Sequence, residues 1–191
     1  MKLPLKAKIE MRENVEYISR DKYGNIKKIF QPNLIGAWLL KKGFISPFNK
    51  NFLLGSWQNK MVVSNLVTNA GFAAVSSRLN GSGGIAAFTY IAIGEGTTAA
   101  AASQTTLVTE ITNRGGGRQV ATVSRITTTV TNDTAKWSYT FTFTGTVAVT
   151  ESGIFNAASA GDMLARQVMS AVNEGNGDQL TVNWMIKSVA A

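Results

Sequence analysis

Polar and apolar residues alternate with a period of two over much of the chain, which is the pattern of half-buried β-strands. Near the start, Leu5, Ala7, Ile9 and Met11 occupy one parity and charged residues occupy the other. The segment VEYISRDKYGNIKKIF follows and predicts a hairpin with its turn near Asp21–Asn25, where Gly24 or Asn25 can take a positive φ. The pattern therefore predicts β-strands in the first thirty residues.

Two segments have helical signals. NLIGAWLLKKG predicts a short helix that begins after Asn33 as N-cap and ends at Gly43. SNLVTNAGFAAVSSRLNG predicts a second helix, capped by Thr68 or Asn69 and terminated by Gly81.

Beyond the second helix the sequence predicts strands only. AFTYIAIG is an apolar run of strand length, and RQVATVSRITTTVT and KWSYTFTFTGTVAVT alternate apolar residues with Thr or Ser on either side of NDTA. The segments GIFN, MLARQVMS and QLTVNWMIKSV predict further strands. Short strands at this spacing predict a mainly β protein, an antiparallel β-sandwich with one short helix, preceded by an extended N-terminal arm containing a hairpin.

Charge divides the chain at residue 60. The net charge is +8; residues 1–60 hold 12 Lys/Arg and 4 Asp/Glu, whereas residues 61–191 hold 7 of each. We therefore predict a basic, aromatic-rich N-terminal anchoring arm at residues 1–60 and a β-sandwich domain at residues 61–191. The arm carries Trp, Phe and Leu without clear periodicity, so it must pack on the sandwich, on another copy or on a partner.

The composition excludes several kinds of chemistry. The chain has no Cys and no His, so it can build neither a disulfide nor a Ser-His-Asp or Cys-His device. We predict no cofactor and no metal site. No segment approaches the roughly 18–20 apolar residues of a membrane span, and the N-terminus lacks the apolar run of a secretory signal. These features predict a soluble protein without a membrane partner.

A glycine motif follows one predicted strand. In IAIGEGTTAA, Gly94, Gly96 and Ala99 fit the dinucleotide-binding pattern G-x-G-x-x-A. That site requires a turn that opens a helix within a βαβ unit. The surrounding sequence has antiparallel character, so we interpret the motif as a glycine-rich loop at the end of a strand.

Charged residues in the second half suggest two further sites. Glu95, Glu110 and Glu151 could supply the two carboxylates of a glycosidase-type pair. Their spacing in the sequence does not indicate that any two of them lie close together. NRGGGR at residues 113–118 is typical of a phosphate- or RNA-binding loop, and more often of a loop tip. We favour the structural interpretation of both.

The segment ESGIFNAASAGDMLARQ predicts a strand, a turn and a second strand. Glu151 would begin the first strand and Arg166 would lie in the second, so the two side chains can face each other and form an ion pair. We predict a structural hairpin rather than a catalytic acid, with Glu151, Gly153, Phe155 and Arg166 as its defining residues.

The basic arm has two interpretations. Its lysines can contact a nucleic-acid backbone. Alternatively, the arm docks on an acidic protein surface and inserts its aromatic residues, which buried interface centres prefer. We favour protein docking, through Trp38, Lys41, Lys42, Phe44, Phe48, Phe52 and Trp57.

A family resemblance covers about residues 64–187. NLVTNAG, IAIGEGTT, TLVTE, a Thr-rich hairpin, TESGIFN and MLAR occur here in an order that resembles a family of tailed-bacteriophage virion proteins. A more remote likeness is to the N-terminal attachment domains of phage tail fibres. The resemblance implies a compact β-sandwich that assembles, often in threes, around a virion axis or lattice point, and it implies no catalytic set. Simpler members pass from the YGNI hairpin almost directly to NLVTNAG, so residues 31–60 are an insertion.

We therefore predict a non-enzymatic structural protein of a tailed-phage virion, assembled in the host cytoplasm and homo-oligomeric, with a trimer favoured. Its partners would be other virion proteins of the tail, neck or capsid, and its place a tail, collar or fibre-anchoring component. The first alternative is a capsid decoration protein. Further alternatives are a nucleic-acid-binding accessory protein and a wall hydrolase carried on the tail.

Overall fold

Two antiparallel β-sheets packed face to face form the body of the protein, in a computed structural model that describes residues 9–190. The strands are β1 (Ile9–Arg20), β2 (Ile26–Lys27), β3 (Ile29–Pro32), β4 (Gly55–Gln58), β5 (Met61–Val63), β6 (Leu66–Val67), β7 (Tyr90–Gly94), β8 (Gln119–Val120), β9 (Thr122–Ile126), β10 (Thr134–Thr142), β11 (Val147–Phe155), β12 (Met163–Glu174) and β13 (Gln179–Ala190). The helices are α1 (Leu34–Lys41) and α2 (Asn69–Asn80). Neither is long and apolar enough to cross a membrane.

The first sheet has the strand order β2-β1-β13-β10-β9, and β5 also pairs with β1. Its longest pairing joins β1 to β13 over their full lengths, from Ile9 opposite Ala190 to Arg20 opposite Gln179. The second sheet has the order β6-β12-β11-β7-β8, and β3 and β4 form a separate two-stranded hairpin. The prediction of a mainly β, antiparallel sandwich is confirmed.

The main core lies between the two sheets. Val15 and Trp184 from the first sheet and Ile93 and Met169 from the second belong to one buried apolar cluster. Burying such side chains stabilises the fold by about 1.5–3 kcal/mol each. The strands supply these residues at alternate positions, as the period of two in the sequence predicts.

A hydrogen bond also links the two sheets within this core. The Tyr17 hydroxyl on β1 lies 2.5 Å from the Ser152 Oγ on β11. Burial raises the pKa of Tyr17 well above its usual value, although the hydrogen bond to Ser152 opposes the shift. The phenol therefore stays neutral and paired in the core.

β12 is buried along nearly its whole length and on both faces. Its inner face joins the core, and α1, α2 and β3 contact the strand as well. Since both faces are covered, MLARQVMSAV is mostly apolar instead of alternating, and its buried Arg166 and Gln167 have hydrogen-bond partners.

Both helices form as predicted. The Asn33 side chain caps α1 by accepting from the Gly36 N–H, and Thr68 caps α2 by accepting from the Gly71 N–H. Gly81 ends α2 in the left-handed conformation, at φ 70°. These ends match the expected pattern of side-chain N-caps and a glycine C-cap.

Two features of the strands differ from the prediction. KWSYTFTFTGTVAVT forms two strands in opposite sheets, β10 and β11, because the chain turns at residues 143–146. The predicted division at residue 60 does not match the architecture either, since β1 is a central strand of the first sheet with Val15 and Tyr17 in the core. Leu5 and Ala7 of the predicted first strand lie outside the described residues.

Candidate docking surface

Residues 29–58, here called the insert, form a compact unit on the outer face of the second sheet. The β3–β4 hairpin brackets α1 and a loop. The Asn33 N–H donates to the Leu54 carbonyl at 2.8 Å, which closes the unit on itself. The Pro47 carbonyl accepts from the Ala171 N–H of β12 at 2.9 Å, which fastens the unit to the sandwich. The insert is therefore held against the body by a backbone hydrogen bond, and the Lys50 Nζ adds a second hydrogen bond by donating to the Ala171 carbonyl.

The insert concentrates exposed apolar side chains. In the part of the chain that the structure describes, 17 large hydrophobic residues are exposed, and eight of them lie within residues 34–57. We call these eight the apolar surface: Leu34, Ile35, Trp38, Phe44, Phe48, Phe52, Leu53 and Trp57. Such a concentration on an ordered unit is typical of an interaction site.

One face of α1 explains part of this exposure. Gly36 and Leu40, four positions apart, are buried, and Gly36 packs on the Leu54 backbone of the same unit. Leu34, which is 91% exposed, and Trp38 are exposed on α1. The exposed side of this helix thus carries the residue types that a helix normally buries. The docking residues predicted from the sequence do not include Leu34, Ile35 and Leu53, because that prediction rests on aromatic residues and lysines.

The aromatic residues predicted to dock are all exposed, but they do not all touch one another. The Trp38 and Phe44 rings pack with their centroids 5.7 Å apart. Trp57 packs instead on Phe30, 5.9 Å away and edge to face. Phe48 lies in the loop between α1 and β4.

Lys41 and Lys42 are exposed at the end of α1, near the Trp38–Phe44 pair in sequence. Phe52 is the most exposed of the predicted aromatic residues, at 83%. A lysine at the edge of an apolar surface is usual for the rim of a protein interface.

The charge around the insert has one sign. Between Asp21 and Glu95 the sequence contains no acidic residue and eight Lys or Arg. Two of these cations are neutralised from outside the segment, Lys27 by Glu174 and Asp178 and Lys60 by Glu16. Of the others, Lys41, Lys42 and Lys50 belong to the insert that carries the apolar surface, and their charge favours an anionic partner.

Glu151, in contrast to the exposed residues of the insert, is fully buried. It sits in the middle of β11 rather than at its start, and its Oε2 accepts from the Arg166 Nε at 2.8 Å and Nη2 at 2.7 Å. Its oxygens also accept from the backbone N–H groups of Gly96, Val108 and Thr109, at 2.7–3.1 Å. The predicted cross-strand pair exists, but as a buried cluster instead of an exposed contact.

Arg166 extends this cluster to a long loop. It is fully buried, and it donates to the Gln104 Oε1 at 2.8 Å and the Thr98 carbonyl at 3.0 Å. Together, Glu151 and Arg166 hold residues 95–110 on the second sheet. We call the pair and this loop the clamp.

The glycine motif serves the clamp. A Cβ on Gly94 would lie 2.5 Å from the Glu151 Oε1, and one on Gly96 would lie 2.4 Å from it. β7 pairs antiparallel on both sides and is followed by a loop, not a helix, so the context of a dinucleotide site is missing. These glycines allow the loop backbone to approach the carboxylate.

The other two candidate carboxylates also have arginine partners. The Arg114 Nη2 lies 2.8 Å from a Glu95 oxygen, and this hydrogen bond lowers the pKa of Glu95. The Arg118 Nη2 lies 2.7 Å from a Glu110 oxygen. The three glutamates therefore do not form a pair of free carboxylates, and the arginines of NRGGGR are engaged in ion pairs.

The remaining hairpin residues have structural places. Gly153 lies opposite Arg166 in the β11–β12 register. Phe155 is buried, and the Arg118 guanidinium carbon lies 3.7 Å from the centroid of its ring. Among the described residues, no group of three acidic side chains is placed to hold a metal ion.

Comparison of the chain with protein-family models, with curated proteins and with solved structures found no match.

Proposed function

We propose that the chain is a non-enzymatic structural protein of a tailed-phage virion, which docks on another virion protein through the apolar surface of the insert. The observation that carries the proposal is the concentration of exposed aromatic and aliphatic side chains on an ordered unit. Aromatic side chains in this setting supply most of the binding energy of a protein interface. The resemblance of residues 64–187 to phage virion proteins supplies the class of partner.

The rest of the molecule suits a passive role. The Glu151–Arg166 pair holds the loop between β7 and β8 on the second sheet, and two more glutamate–arginine pairs cross-link that loop internally. These contacts favour a rigid sandwich. A rigid platform favours tight docking because little conformational entropy is lost on binding.

We place the protein in the tail, collar or fibre anchor, with capsid decoration as the alternative. Both placements use the same surface, and they differ in how many copies a particle contains. We also propose that copies associate, with a trimer favoured, because closed symmetry is usual for such assemblies.

The test compares two phenylalanines with the same exposure. Phe48 in the insert and Phe72 on α2 are each 53% exposed. Phage particles carrying Phe48→Ser or Phe72→Ser would be purified, and the chain quantified against the major capsid protein by mass spectrometry. We expect Phe48→Ser to lower incorporation about tenfold, the effect of losing about 1.4 kcal/mol of docking energy.

Phe72→Ser should leave incorporation unchanged. Equal incorporation of both variants would contradict docking through the insert. Circular dichroism of the purified variants checks that each remains folded.

A further inference from the structure

A cleft opens where the insert meets the sandwich. Lys50 and Trp57 line it from the insert, Lys28 lies just before the insert, and Asn173 of β12 lines the other side. Lys27 also reaches this cleft, but its amine is paired with Glu174 at 2.7 Å and Asp178 at 2.5 Å. Its charge is therefore neutralised within the protein.

Lys50 differs from Lys27 in the groups that surround its amine. Its Nζ donates to the Ala171 carbonyl at 2.5 Å and lies over the rings of Phe30 and Trp57, 5.7 Å and 5.4 Å from their centroids. Burial lowers the pKa of this amine, because a cation is less stable away from water. Among the side chains that the structure describes, no carboxylate pairs with it.

The position of the cleft gives its ligand a specific chemistry. Two of its lysines, Lys28 and Lys50, have no carboxylate partner among the described side chains, and both come from a stretch, residues 22–94, that contains no acid. The carboxylates of Glu174 and Asp178 are already paired with Lys27. An ammonium that is half buried between aromatic rings is stabilised when a group of opposite charge enters the partly buried site beside it. Because Trp57 belongs to the apolar surface, the incoming group would arrive with apolar neighbours.

We infer that this cleft binds a carboxylate side chain from an acidic, apolar segment of the protein on which the insert docks. The inference rests on the proposed docking function and names the chemistry of the partner. Lys50 contacts the carboxylate directly, Lys28 adds charge at the rim, and Trp57 packs on the apolar neighbours. A nucleic-acid phosphate is the competing occupant, and the test separates the two.

The test uses the full chain labelled with ¹⁵N at tryptophan, followed by NMR. The probes are an acetylated, amidated tetrapeptide of alternating Glu and Leu, its Gln counterpart, and inorganic phosphate. We expect the acidic peptide to shift the Trp57 indole N–H signal, and the Gln peptide to bind at least fivefold more weakly. The indole signals of the core residues Trp137 and Trp184 should stay in place.

Lys50→Met keeps an apolar stem against the rings and removes the ammonium. The affinity for the acidic peptide should therefore fall at least fivefold. Lys136→Met, on β10 of the other sheet, is the matched control and should have no effect. Equal binding of the Glu and Gln peptides, or full binding to Lys50→Met, would overturn the inference. Phosphate that binds more tightly than the peptide would overturn it in favour of a phosphate site.

Incorporation into particles separates this inference from the docking proposal. If Phe48→Ser lowers incorporation and the acidic peptide does not bind, docking stands and the carboxylate site is wrong. If the peptide binds through Lys50 and Phe48→Ser incorporates normally, the site stands as a carboxylate site and docking through the insert is wrong.

Discussion

At the scale of single residues, Glu151 shows how a charged side chain can be wholly structural. Its carboxylate accepts from one arginine and three backbone N–H groups in a region without solvent contact. Removing one member of a buried pair leaves the other charged and uncompensated, which costs far more than the loss of an exposed pair.

Glu151→Gln should therefore lower the free energy of unfolding by about 3–5 kcal/mol. Glu16→Gln, which breaks the partly exposed pair with Lys60, is the control and should cost less than about 1 kcal/mol. Urea titration followed by circular dichroism measures both. Equal losses for the two variants would contradict a structural clamp centred on Glu151.

The sequence indicated the Glu151–Arg166 pair, but not its burial. Spacing within a hairpin predicts which side chains share a face, whereas burial depends on the distant loop that covers them. The glycines at 94 and 96 were the available signal, since a small residue beside a strand end indicates a close approach of backbone or side chain.

At the scale of elements, the turn between β9 and β10 is organised by one aspartate. The Asp133 carboxylate accepts from the backbone N–H groups of Thr128, Thr129 and Val130, at 2.9–3.0 Å. Burial opposes the ionised form, but these hydrogen bonds outweigh it and hold the pKa of Asp133 well below its usual range.

A carboxylate with a depressed pKa in the folded state stabilises the fold above its ordinary pKa of about 4, and this contribution declines as the pH falls below that value. Asp133→Asn should therefore lower the urea midpoint more at pH 7 than at pH 3. A difference between variant and wild type that is the same at both pH values, or larger at pH 3, would contradict this role.

The elements themselves were largely predictable. Caps and glycines located both helices, and the period of two located most strands, because these signals are local. The break between β10 and β11 was missed because TFTFTGTVAVT continues the alternation through the turn, with Gly145 as its one glycine. Which sheet a strand joins is decided by long-range packing, which alternation does not encode.

At the scale of the whole molecule, the charge boundary at residue 60 and the architecture do not coincide. β1 is an inner strand of the first sheet, and the structural unit outside the two sheets is the insert, residues 29–58, which includes β3 and β4. A change in composition reflects where lysines lie on the surface. A strand can carry lysines on its outer face while its inner face joins the core. Deleting residues 1–60 would therefore remove the core strand along with the docking surface.

The insert combines an apolar surface, a positive charge and an attachment to the sandwich. Together, these three features support an adaptor that binds another protein. The copy number follows from the placement. A tail, collar or fibre anchor repeats with the symmetry of the tail, whereas a decoration protein repeats with the capsid lattice.

The most direct test is the copy number of the chain per purified phage particle, by quantitative mass spectrometry against the major capsid protein. The account predicts a handful to a few tens of copies, in a multiple of three or six. Hundreds of copies would move the protein to the capsid surface as a decoration protein. Absence from the particle would contradict the proposed virion role.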